Sequence, residues 1–132
     1  MQAYYSVIQY IPDISRAETA NVGVVLRGED PFWMRVKIDP LLQRPFRFFY
    51  DHPDNQIEGW HTRLLKMVEA TAERLMSSEI QRRVDLTDFI RTRANQIQLT
   101  ELRPIRVNGP DDIEKLFEEL VLPPTTGGQQ CQ

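Results

Sequence analysis

Apolar and polar positions in the first third of the chain predict an antiparallel sheet. Residues 4–11 are rich in aromatic and β-branched residues on both faces and stop at Pro12, which indicates a central strand followed by a turn. Residues 21–26 are almost continuously apolar and predict a second strand, whereas Phe32–Ile38 alternates, so one side packs and the other faces solvent. The short turn at residues 28–31 makes the last two strands a hairpin. The pattern therefore predicts a three-stranded meander.

The rest of the chain predicts helices and one further strand. The predicted segments are a short helix or irregular lid over 41–50, a helix over 55–76 with Asp54 or Asn55 as N-cap, a helix over 86–94, a strand over 96–99 that resumes at 105–107, and a last helix that opens at Pro110 or Asp111. The fold class is α+β: a small, mainly antiparallel sheet, built of the three-stranded meander plus a later strand, with helices packed on one face. We expect a single domain over residues 1–122 and a flexible polar tail over 123–132.

Composition and charge narrow the classes of protein to which this chain can belong. The 132 residues carry a net charge of −3 and a pI near 5.4, which argues against a protein that coats duplex DNA. No apolar run is long enough for a bilayer, and the N-terminus lacks the basic region and apolar core of a secretion signal. The single cysteine, Cys131, cannot form an intramolecular disulfide, as is typical of a reducing compartment. We therefore expect a cytoplasmic protein that does not bind membranes.

No complete catalytic motif is present in the sequence. Cys131 lies in the polar tail, and there is neither a nucleophile elbow nor a Walker loop. Glu58 and His61 have the Glu-x-x-His spacing of di-iron helices, but a homodimer would have to supply the second copy. The sequence thus predicts no catalytic residue, no cofactor and no metal site.

Arginines concentrate in one stretch of the chain. Residues 77–107 contain six arginines and four acidic residues. Because the guanidinium fork binds phosphate and carboxylate in a bidentate way, Arg91 and Arg93 are candidates for an anion or nucleotide site, with Trp33 or Tyr10 placed to stack on a base. The alternative is that the arginines pair with the acidic last helix.

A second candidate site lies between the first two strands. Residues 12–21 are dense in polar groups beside apolar strands, and loops on a rigid sheet often carry function. Arg16, Glu18 and Asn21 are the candidate binding residues. In the alternative interpretation Arg16 pairs with Glu18, while Asn21 satisfies the start of a strand.

Two stretches of this sequence resemble one bacterial family. They are Tyr5-Ser6-Val7-Ile8-Gln9-Tyr10 with Pro12-Asp13, Arg16, Glu18 and residues 21–26, and near the C-terminus residues 95–100, Arg103-Pro104 and residues 111–121. They are similar to a domain of unknown function that carries the number 3037. The resemblance implies a small protein encoded beside a HipA-like kinase, as in toxin–antitoxin or phage-defence modules. It implies no reaction and no catalytic residues.

Two functions therefore stand as hypotheses. The first is a non-catalytic binding or accessory protein that acts through a protein partner, such as a HipA-like kinase, or through self-association as a homodimer. Its interface would contain Arg16, Glu18 and Asn21, or else the outer face of the third strand with Trp33. The second is a small nucleotide- or nucleic-acid-binding domain, engaged in phage–host conflict, that uses the arginines at 91 and 93.

Overall fold

The computed structural model describes residues 1–11, 19–29, 31–48, 59–77 and 97–122. In this part of the chain the strands are β1 (Gln2–Tyr10), β2 (Ala20–Glu29), β3 (Phe32–Ile38), β4 (Ile97–Leu99) and β5 (Arg103–Arg106). The helices are α1 (Gln43–Phe48), α2 (Trp60–Met76) and α3 (Ile113–Leu120), and a 3₁₀ turn at Pro110–Asp112 leads into α3. None of the helices in these ranges is long and apolar enough to cross a membrane.

All strand pairs in the sheet are antiparallel, and the predicted meander is confirmed. β2 lies between β1 and β3, while β4 and β5 follow one another along the free edge of β1. The two strands that are apolar on both faces, β1 and β2, are therefore central, as the pattern predicted. The α+β class with an antiparallel sheet is confirmed.

The helices lie on both faces of the sheet, whereas the sequence predicted them on one. One buried cluster joins the sheet to α1 and α2, and its members are Ile8, Tyr10, Ala20, Val22, Val25, Met34, Leu42, Leu64, Val68, Leu75, Ile97 and Leu99. A second cluster lies under α3, and its members are Ala3, Val24, Leu26, Val107, Ile113, Leu116, Phe117 and Val121. Val24 and Val25 are neighbours in β2 that belong to different clusters, because successive side chains of a strand point to opposite faces. Both faces of the central strands are covered, which is why both are apolar.

Two irregularities bracket the middle of β1. In β2, Val22 is an extra residue, since the register shifts between Ile8 and Gln9. On the other side, residues 100–102 between β4 and β5 lie opposite only two residues of β1, Ser6 and Val7, so one residue is extra. Thr100 binds β1 here: its hydroxyl accepts the N–H of Val7 at 2.9 Å, and its own N–H donates to the Val7 carbonyl at 3.0 Å. Bulges of this kind locally bend a strand and increase its twist.

A buried aspartate sets the start of α1, within the segment predicted as a short helix or lid. The Asp39 carboxylate is 3% exposed and accepts the N–H of Leu41 at 3.0 Å and the N–H of Gln43 at 2.9 Å. Leu42 has a φ of 51° and its side chain is fully buried. The carboxylate therefore holds a turn in a backbone conformation that leucine rarely adopts.

The predicted helix over 55–76 is confirmed along most of its length. It begins at Trp60, directly after Gly59 with a φ of 80°, and ends at Met76. The predicted N-cap residues, the predicted helix over 86–94 and the predicted tail over 123–132 lie outside the described residues.

The free edges of the sheet are protected from pairing with another strand. Val107 donates its N–H to the Met1 carbonyl, so in this antiparallel ladder the main-chain groups of Pro104 and Arg106 point away from β1. Proline has no N–H, so β5 offers an incomplete edge. At the opposite edge, the Arg35 guanidinium donates to the outward carbonyl of Met34 at 3.1 Å.

Candidate functional site

Two of the six predicted site residues lie in the described ranges. They are Asn21, at the start of β2, and Trp33, in β3. Arg16, Glu18, Arg91 and Arg93 lie outside the described residues, so the roles predicted for them stay predictions.

Asn21 links three elements through its side-chain amide. Its Oδ1 accepts a hydrogen bond from Gln9 Nε2 at 3.1 Å, and its Nδ2 donates to the Leu120 carbonyl at 2.7 Å. Arg44 of α1 approaches the same end of α3, where it donates to the carbonyls of Val121 at 2.8 Å and Leu122 at 3.0 Å. Orphan carbonyls at a helix C-terminus need such donors, so this amide fixes the end of α3.

We expect replacement of Asn21 by alanine to lower the free energy of unfolding by about 1–2 kcal/mol, because the Leu120 carbonyl and Gln9 amide lose their partner. Urea denaturation measures this loss. Glu118→Ala, a substitution of an exposed residue in α3, is the matched control and should leave the free energy of unfolding unchanged. A wild-type midpoint for Asn21→Ala would show that the amide does not hold α3.

Trp33 and Lys37 lie on the face of β3 that α3 covers. The indole lies across Gly28, where an added methyl group would come within 2.2 Å of the indole nitrogen. Lys37 pairs with Glu114 of α3, and its ammonium lies 4.9 Å from the centroid of the Phe117 ring. The face of β3 predicted to face solvent is thus partly covered by a helix.

Tyr10 of β1 is 2% exposed, so the structure excludes it as a platform on which a base could stack.

A groove runs between α3 and β5 because α3 is too small to cover its face of the sheet. Eight residues give a helix about 12 Å long and 10 Å wide, the width of two strands. It packs on β2 and β3, so Tyr5 of β1 and Ile105 of β5 remain half-buried beside it. The resulting groove has a volume of about 540 Å³, and Ile105, Val107 and Leu116 form its apolar floor.

Charged side chains form the rim of this groove. Asp112, Lys115 and Glu119 are spaced along one flank of α3 and its leading turn, and Arg106 and Asn108 line the opposite side. Asp112 accepts the N–H of Asn108 at 2.8 Å. The side chains of Arg106, Lys115 and Glu119 form no ion pair or hydrogen bond with any part of the chain that the structure describes. Among the described residues, Arg106 therefore does not pair with the acidic last helix.

The groove combines three apolar residues with a larger polar lining, and mixed linings of this kind occur at protein recognition sites. Within the described ranges no three histidine, cysteine, aspartate or glutamate side chains cluster as metal ligands would. In the sequence, Arg106 was one of six arginines in residues 77–107, whereas Lys115 and Glu119 were not among the candidate binding residues. The available signal was their spacing on one flank of an amphipathic helix.

A second charged feature also escaped sequence reasoning. Arg27 is 6% exposed within the apolar strand β2. Its guanidinium pairs with Glu29 at 2.9 Å and lies 5.9 Å from the centroid of the Tyr4 ring. A lone arginine inside an apolar strand was the signal. Both of these contacts are within the sheet, on the face opposite the groove.

Comparisons with known proteins identify one family. No curated protein and no solved structure gives a significant match to the sequence. A family model described as "Protein of unknown function (DUF3037)" matches residues 5–121. This range includes β2 to β5, most of β1 and the groove residues of α3 and β5, and it confirms the resemblance seen in the sequence. The chain therefore belongs to the DUF3037 family.

Proposed function

We propose that this protein is a non-catalytic binding protein that holds a protein partner in the groove between α3 and β5. The observation that carries the proposal is the half-covered sheet face, on which Ile105, Val107 and Leu116 lie below a rim of charged side chains. Floors of this kind supply the affinity of protein interfaces, and charged rims supply their specificity.

A heterologous partner fits these features better than strand-to-strand pairing of two copies. Pro104 lacks the N–H that a ladder along β5 would need, and Arg35 occupies the outward Met34 carbonyl at the other edge. The first partner to test is a HipA-like kinase, since the family resemblance implies that neighbourhood.

The test is the affinity of the purified protein for a HipA-like kinase encoded beside it, measured by calorimetry. We expect Ile105→Ala, which removes part of the groove floor, to weaken binding about tenfold. The matched control is Ile38→Ala, another half-buried isoleucine in the opposite edge strand and on the opposite face, which should leave the affinity within about twofold.

Two results would contradict the proposal. Equal losses in the two variants would remove the groove from the interface. A nucleotide retained in native mass spectrometry, with no kinase bound, would favour the nucleotide-binding hypothesis and direct mutations to Arg91 and Arg93.

A further inference from the structure

The protection of the sheet edge at β3 rests on a single side-chain contact. The Asp39 N–H donates to β2, so strand alternation points the main-chain groups of Met34, Val36 and Ile38 away from β2. Of these outward groups, the Met34 carbonyl is the one that has a partner among the described residues, the guanidinium of Arg35 at 3.1 Å. The N–H groups along this edge are therefore open to an added strand.

The side chains along this edge differ between the two faces of the sheet. Met34 and Val36 belong to the apolar face under α2, whereas Arg35 and Lys37 lie on the face of α3. Glu114 of α3 already pairs with Lys37. Arg35 is exposed, and no carboxylate in the described ranges lies within 4 Å of its guanidinium. An added strand would place one side chain directly beside Arg35, at a Cβ distance of about 5 Å.

A second copy of this chain is a poor occupant of the edge. The antiparallel register that pairs the whole of β3 with a second β3 places the two Arg35 side chains directly opposite each other. A shift to the register centred on Val36 places Arg35 opposite Lys37. Like charges in opposite positions destabilise a sheet. The cations of β3 thus disfavour its longest self-pairing and favour a strand of opposite charge.

We propose that the β3 edge binds an extended acidic strand of a protein partner, with a carboxylate that takes the Arg35 guanidinium from the Met34 carbonyl. The freed carbonyl then joins the ladder, so the contact that protects the edge is the one that an acidic strand displaces. Main-chain hydrogen bonds supply the affinity, and Arg35 selects the charge. Because β3 and β5 lie at opposite edges of the sheet, the inference goes beyond the proposed function and concerns a second protein segment.

The test is an NMR titration of the ¹⁵N-labelled protein with short blocked peptides in which valine alternates with glutamate, glutamine or lysine. We expect the glutamate peptide to shift the amides of residues 34–38, to slow the hydrogen exchange of the Val36 N–H, and to bind about tenfold more tightly than the lysine peptide. The glutamine peptide should have an intermediate affinity.

Methylation of the peptide nitrogens tests the ladder itself. A glutamate opposite Arg35 points its own main-chain groups away from β3, because the Arg35 main chain faces β2. The valine N–H groups then face β3. N-methylation of the valines should therefore abolish binding, whereas N-methylation of the glutamates should preserve it.

Charge reversal locates the carboxylate. Arg35→Glu should invert the preference, so that the lysine peptide binds more tightly than the glutamate peptide. Arg103→Glu is the matched control, because Arg103 is an exposed arginine on the same face and in the same cross-strand row, through Leu26 and Tyr5, at the opposite edge. This control should keep the preference for glutamate. Equal changes in the two variants would overturn the inference, because a general charge effect would then explain the binding.

The remaining outcomes keep this inference apart from the proposed function. Equal binding of all three peptides, or binding that survives N-methylation of the valines, overturns the acidic strand at β3. Shifts confined to residues 105–108 and 112–119 would place the peptide in the groove, which overturns the inference and supports the proposed function. No shift with any peptide also overturns the inference, while the kinase assay still decides the proposed function.

Discussion

Replacement of Phe117 by alanine will lower the free energy of unfolding by about 3–5 kcal/mol, the range for deletion of a buried aromatic ring. The ring is 6% exposed and anchors α3 in the second cluster, beside Val24 and Leu26 of β2. It also faces the Lys37 ammonium at 4.9 Å. Because α3 is short, Phe117 is one of only three buried side chains in the helix, so its loss removes a large part of the packing of α3 on the sheet. Urea denaturation followed by circular dichroism measures the effect.

The control for this prediction is Phe117→Leu, which keeps most of the buried volume and should cost less than about 1.5 kcal/mol. The alanine variant should also lose the groove, since α3 forms one wall. Binding of the kinase partner in the groove should therefore fall together with stability in Phe117→Ala. A Phe117→Ala protein that unfolds at the wild-type midpoint would show that α3 is held elsewhere.

Local pattern predicted the elements of the described fold well. β3 has the predicted bounds, Phe32–Ile38, and α2 ends at the predicted Met76. Both depend on periodicity, which is a property of neighbouring residues. The side on which each helix packs is a property of distant contacts, and here the prediction was wrong. The information was present in β1 and β2: strands apolar on both faces need cover on both faces.

The candidate site was harder to predict because it arises from what α3 leaves uncovered. Asn21 and Trp33 were chosen for their polar or aromatic character, yet the structure gives each an internal neighbour, the Leu120 carbonyl and Gly28. The groove depends on the length of α3 relative to the sheet and on the pairing of β5 with β1. Neither follows from local periodicity, since strand pairing joins residues a hundred positions apart.

The turn before α1 illustrates how a polar residue can be structural even where the backbone is strained. Asp39 follows β3, and its N–H donates to the Val22 carbonyl at 2.9 Å, so the turn begins at the bulge of β2. Its carboxylate then accepts the N–H groups of Leu41 and Gln43. These bonds compensate for the left-handed backbone of Leu42, whose side chain enters the first cluster. The buried leucine and the buried carboxylate depend on each other.

Replacement of Asp39 by alanine will therefore cost about 3 kcal/mol, because two N–H groups lose a charged acceptor and the strained turn loses its support. Chemical denaturation measures the loss, and the near-ultraviolet circular dichroism should report looser packing around α1. Asp39→Asn is the matched control. Its one side-chain oxygen can still accept one N–H, so the loss of unfolding free energy should be about half of that in the alanine variant. The C-terminal end of α3 gives an internal check, since Arg44 of α1 donates to the carbonyls of Val121 and Leu122 there. If α1 loosens, the amides of residues 121–122 should exchange faster with solvent, and unchanged exchange would show that α1 and α3 are independent.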